Sequence, residues 1–239
     1  MDTEVFNRYE YKYLVDVDKF NNLSKLISEN MLLDDHNVNN KLYTISNIYY
    51  DTNDDYLIRR SLSRPLYKEK LRLRTYDVPD MQDKAFVEIK KKFNGIVNKR
   101  RTLMNVSDAY DLLNSLEFSP TEDYLNNQLY EIKYFLKNYS PVPKVFIAYD
   151  RLAYVSNDNS DLRVSFDFNI RSRRDNLKLQ NPFEAEPLLS KNIAVMEIKT
   201  AYSMPLWLTC ALTGASIKRI RFSKYGKEYQ KYLVSKNVI

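Results

Sequence analysis

Lys70-Leu71-Arg72-Leu73-Arg74 decides how this chain is read: long cations alternate with leucines. Successive side chains of an extended strand point to opposite faces. Lys70, Arg72 and Arg74 therefore share one face, and Leu71 and Leu73 the other. A single strand of this kind fits an ordinary wet basic face over an apolar core. The pattern recurs, however. Arg8 to Val15 sets Arg8, Glu10 and Lys12 against Tyr9, Tyr11 and Tyr13, and Lys84 to Lys92 sets Glu88, Lys90 and Lys92 against Val87 and Ile89. Collected by parity, the polar face holds the cations Arg8, Lys12, Lys70, Arg72, Arg74, Lys90, Lys99, Arg101, Arg151, Arg163 and Lys199. It also holds four carboxylates, Glu10, Glu88, Asp167 and Glu197. The apolar faces are read as carrying Leu71, Leu73, Val87, Ile89, Val195 and Ile198.

Asn94-Gly95 between two extended runs predicts a two-residue type I′ hairpin. That turn fixes a register: Phe93 pairs with Ile96, Lys90 faces Lys99, and Glu88 faces Arg101. Two lysines facing each other across a strand pair cost about 0.2–1 kcal/mol unless an anion lies between them. Further strands are expected at Tyr43 to Thr52, Lys68 to Tyr76, Lys144 to Val155, Leu162 to Arg171 and Ile193 to Thr200. Helices are expected from about Asp18, after Ser107, after Thr121 (with Leu125, Leu129, Ile132 and Leu136 at helical spacing), from Leu206 to Leu212 before Gly214, and after Ser223. Ser172 to Ser190 reads as a long polar loop.

Composition bounds the function. The 239 residues carry 37 Lys+Arg against 31 Asp+Glu, a net charge of +6, so a local concentration of cations is expected instead of a generic nucleic-acid coat. Cys210 is the only cysteine, which excludes an intrachain disulfide and a cysteine-rich zinc site. His36, the only histidine, lies in the polar stretch Asp34-Asp35-His36-Asn37, which argues against a Ser-His or Cys-His nucleophilic pair. Trp207 and Cys210 read as packing residues of a short apolar helix. No run reaches the ~18 apolar residues of a spanning helix, and no signal peptide is visible, so a cytoplasmic protein without a membrane segment is expected. No linker divides the chain, and residues 1–239 read as a single domain.

Two architectures accommodate the alternation. In an open sandwich the apolar faces meet and the charges lie outside. In a closed barrel of seven or eight strands the charges line a lumen and amphipathic helices cover the apolar exterior. Arginine favours the lumen, because guanidinium binds phosphate bidentately and keeps its charge when partly desolvated. The reading is therefore α+β, a closed antiparallel eight-stranded barrel with helices packed outside. Buried like charges call for a counter-charge, so a luminal cation ring implies a polyanionic guest. The carboxylates pair with Lys or Arg, or hold a hard divalent cation against phosphate oxygens. Glu197, in Val195-Met196-Glu197-Ile198-Lys199, is the preferred metal ligand.

Nine motifs in order carry a family resemblance from Arg8 to Tyr229. They are Glu10-Tyr11-Lys12-Tyr13; Tyr49-Tyr50-Asp51-Thr52; Leu71-Arg72-Leu73-Arg74; Glu88-Ile89-Lys90; Lys99-Arg100-Arg101; Tyr149-Asp150-Arg151; Arg163-Val164-Ser165-Phe166-Asp167; Glu197-Ile198-Lys199; and Arg221-Phe222-Ser223-Lys224-Tyr225. The chain resembles the catalytic domain of the vacuolar transporter chaperone (VTC) polyphosphate polymerases, within the CYTH-like triphosphate tunnel metalloenzyme superfamily. The resemblance implies a tunnel of eight antiparallel strands and an enzyme that adds the γ-phosphate of ATP to inorganic polyphosphate with Mn²⁺ or Mg²⁺. It implies catalytic roles for Arg72, Arg74, Lys90, Lys99 and Arg151. It also implies phosphate or nucleotide binding by Lys12, Tyr149, Lys199, Arg221, Ser223 and Lys224, with Glu197 on the metal. The superfamily's hydrolase and cyclase branch favours Glu-x-Glu-x-Lys, where this chain has Arg8-Tyr9-Glu10-Tyr11-Lys12; that departure weakens a plain triphosphatase reading. The alternatives are an inorganic or nucleoside triphosphatase and a non-catalytic polyphosphate- or nucleotide-binding module. No nucleic-acid partner is expected, because the tyrosines alternate mostly away from the charges, and no protein partner is identified.

Overall fold

The computed structural model describes residues 9–37, 41–94, 96–115, 127–157, 161–181 and 184–236. The strands are β1 (Tyr9–Asp16), β2 (Met31–Leu33), β3 (Tyr43–Asp51), β4 (Tyr67–Tyr76), β5 (Lys84–Phe93), β6 (Ile96–Asn105), β7 (Val142–Ser156), β8 (Arg163–Arg173), β9 (Glu186–Pro187), β10 (Ile193–Thr200) and β11 (Arg219–Ile220). The helices are α1 (Val17–Asn30), α2 (Tyr56–Leu62), α3 (Val106–Asn114), α4 (Asn127–Tyr139), α5 (Leu206–Gly214) and α6 (Lys224–Ser235). Their alternation in one chain gives an α+β fold built on one antiparallel sheet. The hydrogen-bonded path runs β11-β1-β10-β8-β7-β3-β4-β5-β6, with β2 on β7 and β9 on β8.

The sheet does not close, which corrects the expected eight-stranded barrel. Among the described residues β11 pairs only at Lys12 and Tyr13 of β1, and β6 keeps one edge without a strand partner. After β11 only two residues precede Ser223, which caps α6, and α6 packs against α2 and β7 instead of continuing the sheet toward β6. The sheet is nevertheless strongly curled, because side chains reach across its concave side. Lys90 on β5 meets Glu10 on β1 at 2.7 Å, and Lys70 on β4 meets Ser223 ahead of α6 at 2.8 Å.

Apolar burial fixes which face is inward. Leu71, Leu73, Val87 and Ile89, all 0 % exposed, pack on the convex side with Leu112 of α3 and with Ile132 and Leu136 of α4. Val15, Val164, Phe166 and Ile198 form a second convex cluster with Leu23 and Ile27 of α1 and Leu208 of α5. A third cluster lies inside, where Tyr49, Ile147, Tyr149 and Val195 meet Tyr225 and Tyr229 of α6. Val195 shares the parity of Glu197 and is inward, which corrects its assignment to the apolar outer face. Burying methylene-rich side chains on the convex face contributes roughly 1.5–3 kcal/mol each. That gain holds the cations on the concave side.

Local details differ from the sequence reading for identifiable reasons. The hairpin register is the expected one: Phe93↔Ile96, Lys90↔Lys99 and Glu88↔Arg101. Gly95 itself, Arg8, Thr121 and Leu125 lie outside the described residues. α1 starts after Asp16 instead of at Asp18, because the Asp16 carboxylate accepts from Lys19 N at 2.9 Å. α3 starts after Asn105, so Ser107 is inside the helix and not its cap. α2 has no counterpart in the sequence reading. Buried Asp51 forms it by accepting from the backbone N–H of Leu57 and Ile58, both at 2.9 Å. The loop from Ser172 to Ser190 holds the short strand β9. The buried Arg173 guanidinium ties this loop together by donating to the carbonyls of Asn176, Lys178, Asn181 and Glu184. Trp207 is partly buried, but Cys210 is exposed and does not pack. No helix among the described residues is long and apolar enough to cross a membrane.

Candidate functional site

The inward cations gather on carboxylates rather than scattering. Glu88, 1 % exposed, is the centre of the first group. It accepts from Arg72 Nε at 2.6 Å, lies 3.7 Å from Arg74 Nε, and takes the Lys99 ammonium on its other oxygen. Burial by itself would raise the Glu88 carboxyl; Arg72, Arg74 and Lys99 together hold it well below the usual carboxylate range. The facing pair Lys90 and Lys99 is relieved because the ammonium groups turn apart, Lys90 to Glu10 and Lys99 to Glu88.

Glu197 forms the second group. Its oxygens face Lys12 Nζ at 3.3 Å and Lys199 Nζ at 2.9 Å. Burial would raise this carboxyl, and Lys199 and Lys12 outweigh it and pull it well down. Glu10 stands next to it in the strand register, opposite Lys199, and the two carboxylates repel each other.

Asp167, 0 % exposed, anchors the third group. Arg151 grips it bidentately at 2.7 and 2.9 Å, and the Lys224 ammonium reaches its second oxygen. Burial is outweighed again, and the acid is held at about 2. Lys224 also lies 4.1 Å from the centroid of the Tyr149 ring. Tyr149 accepts a hydrogen bond from Arg74 at 3.1 Å. Against the burial that would raise it, Arg74, Arg151 and Lys224 draw the Tyr149 phenol down to about 8.

Lys70 differs from the rest. Among the described residues its ammonium has no carboxylate partner and donates only to Ser223 Oγ at 2.8 Å. Burial, and then Lys12, Lys68, Lys90 and Arg72, push it down to about 7. Lys99 is also pushed to about 7, by burial first, with Glu88 opposing. Ser223 carries two tasks, since its Oγ also accepts from Gly226 N at 3.1 Å as the cap of α6.

The concave face thus brings together Lys12, Arg72, Arg74, Lys90, Lys99, Tyr149, Arg151, Glu197, Lys199, Ser223 and Lys224. Arg221 is not among them. It is exposed, and it acts on the group only by its charge near Lys68. Arg101 and Arg163 lie at the rim, Arg101 over the Phe86 ring and Arg163 on Asp34. Sequence reasoning passed over Tyr49, whose hydroxyl accepts from Arg72, and Asn47, whose side-chain oxygen accepts from Arg74. The alternation Tyr43, Ile45, Asn47, Tyr49 carried that signal. Four tyrosines, Tyr43, Tyr49, Tyr76 and Tyr149, have inward parity, while Tyr11, Tyr13, Tyr50 and Tyr154 lie in the convex clusters, turned away from the charges.

Comparison with known proteins agrees with this geometry. A model of the VTC domain matches residues 7–233. The chain belongs to the VTC domain family. Among curated proteins none matches it in sequence. The fold is similar to that of a candidate adenylate cyclase of Bacillus halodurans, with a TM-score of 0.52 at 15 % identity over 91 % of this chain and 96 % of that one. A candidate adenylate cyclase of Vibrio parahaemolyticus is similar over 95 % of this chain and 99 % of its own, at 14 % identity and a TM-score of 0.46. At 15 % identity the likeness to the Bacillus halodurans protein is one of fold alone.

The fit of a divalent metal to this VTC domain follows from the donor set. No three His, Cys, Asp or Glu side chains among the described residues group to hold an ion alone. Glu197, with Glu10 beside it in the strand register, carries hard oxygen donors of the kind that would hold a divalent cation.

Proposed function

We propose that this VTC domain is a polyphosphate polymerase that transfers the γ-phosphate of ATP to a growing inorganic polyphosphate chain. The observation that carries the reading is the surplus of inward cations over carboxylates, centred on Lys70, which faces Lys90 in the β4–β5 register and among the described residues has no acidic partner. Buried like charge is costly until a counter-ion arrives, and a chain of phosphates supplies one along its whole length. The family match and the likeness to candidate adenylate cyclases support a substrate with a triphosphate.

The chemistry then follows from the residues. Arg72 and Arg74 keep their charge at any working pH and present forks to phosphate oxygens. Together with Lys90, Lys99 and Arg151 they neutralise charge that moves toward the leaving group in a loose transition state. Lys12, Lys199, Ser223 and Lys224 bind the remaining phosphates. A divalent cation, Mn²⁺ or Mg²⁺, on Glu197 would supply further neutralisation of phosphate oxygens. The acceptor oxygen of orthophosphate or of the chain end is already anionic near neutral pH. No general base is needed, which suits a site whose carboxylates are all ion-paired. The test is incubation with ATP and Mn²⁺ followed by electrophoresis of the products. A ladder of long chains is expected; orthophosphate alone would make the domain a hydrolase, and no turnover with any divalent metal would make it a binding module.

A further inference from the structure

At one end of the concave face aromatic rings gather beside the cations. Tyr76 follows Arg74 by two residues on β4, so it lies on the same face about 7 Å farther out. Tyr43 pairs directly with Arg151 across β3 and β7. The His36 imidazole lies parallel to the Tyr76 ring, 5.1 Å between centroids and 6° between planes, and 5.4 Å from the Tyr43 ring. Phe86 meets Tyr76 edge-on at 6.0 Å. The turn carrying His36 is firmly held, since Asn37 donates to the Arg151 carbonyl at 2.8 Å and accepts from Ala153 N at 2.9 Å. His36 itself is exposed, so the column presents a ring to solvent. The Tyr43 hydroxyl is the second observation: the residue is 6 % exposed and its oxygen has no hydrogen-bond partner among the described residues.

We propose that His36, Tyr76 and Tyr43 form the site that stacks and hydrogen-bonds the nucleobase of the nucleoside triphosphate whose phosphates lie on Arg74 and Arg151. This inference rests on the reading of the domain as an ATP-dependent polymerase and adds to it the position of the base. The separation of Tyr76 from Arg74 leaves room for a ribose between phosphate and ring. Aromatic side chains stack any base because every base has a π-face. The orphan hydroxyl of Tyr43 adds a polar contact that plain packing would not require. Inorganic tripolyphosphate has no base, and it should ignore the aromatic mouth.

The experiment is calorimetric titration of the full chain with ATP and, separately, with inorganic tripolyphosphate. His36→Ala, whose exposed side chain leaves the fold intact, and Tyr76→Leu are each expected to weaken ATP about tenfold and tripolyphosphate by less than about twofold. Tyr76→Phe keeps the ring and should keep the ATP affinity. Equal losses for both ligands, or undiminished ATP binding in His36→Ala and Tyr76→Leu, would overturn the assignment. A wild-type chain that does not bind ATP would overturn it as well. A wild-type chain that binds ATP but makes no polyphosphate ends the polymerase reading only, and an ATP-selective loss in the variants then still supports the base site.

Discussion

Lys70 and Lys99 are the residues whose ionisation is most exposed to experiment. Both are held at about 7 in the free protein, against about 10.4 for an unperturbed lysine. A bound polyanion favours the charged ammonium, so at pH 8 binding must take up protons. Titration of tripolyphosphate in buffers of different ionisation enthalpy should reveal that uptake, and Lys70→Met should reduce it; a buffer-independent heat would refute the placement. Affinity should correspondingly fall as pH rises above about 7, unlike that of a site built on arginine alone. Glu197→Gln should abolish metal-dependent turnover while circular dichroism stays native, and unchanged turnover would remove Glu197 from the mechanism. At this scale the sequence showed which residues alternate, and it placed Lys12, Arg72, Arg74, Lys90 and Glu197 on one face. It did not show that Arg221 would be exposed, or that Tyr49 and Asn47 would orient the arginines. Those facts depend on contacts between strands far apart in the chain.

Elements explain how the groups are presented. The β5–β6 hairpin was legible because two central residues with a strong turn preference fix the register of everything beyond them. Helix α6 was legible from its cap, and that cap also accepts from Lys70. Ser223→Ala removes the acceptor for Gly226 N and should lower the unfolding free energy by about 1 kcal/mol in urea denaturation, within the usual ~0.5–2 kcal/mol for such caps. The same change frees Lys70 of its one hydrogen bond, so polyanion affinity should change together with stability. Gly226 lets α6 approach α2: a Cβ there would lie 3.2 Å from Leu62 Cδ2 and 3.2 Å from Ser223 Cβ. Helix α2 was not legible, because its start is set by Asp51, a residue that reads as the end of a strand.

For the whole molecule, the balance between apolar exterior and charged interior controls stability. The carboxylates Asp167, Glu88 and Glu197 are held below their unfolded values. Their contribution is fully present above the unfolded carboxylate range near ~4 and is lost as pH falls toward ~2. Acid denaturation followed by near-ultraviolet circular dichroism should begin below about pH 4, and Asp167→Asn should flatten that transition. The surplus cations act the other way. Tripolyphosphate at a hundred times its dissociation constant should stabilise the fold by about 2.7 kcal/mol, read as a rise in Tm, and the rise should shrink as added salt weakens the ionic binding.

The sequence by itself determined the alternation, the hairpin register, the capping of α6 and the family, because each is written in neighbouring residues or in motifs held in order. Tertiary structure alone decided that the sheet curls without closing, that each of Glu10, Glu88, Asp167 and Glu197 meets a cation, and that among the described residues Lys70 meets no carboxylate. Parity assigns a side chain to a face, but burial of Leu71, Val87 and Ile89 under α3 and α4 is what makes the other face concave and brings Lys90 to Glu10 across eighty residues of chain.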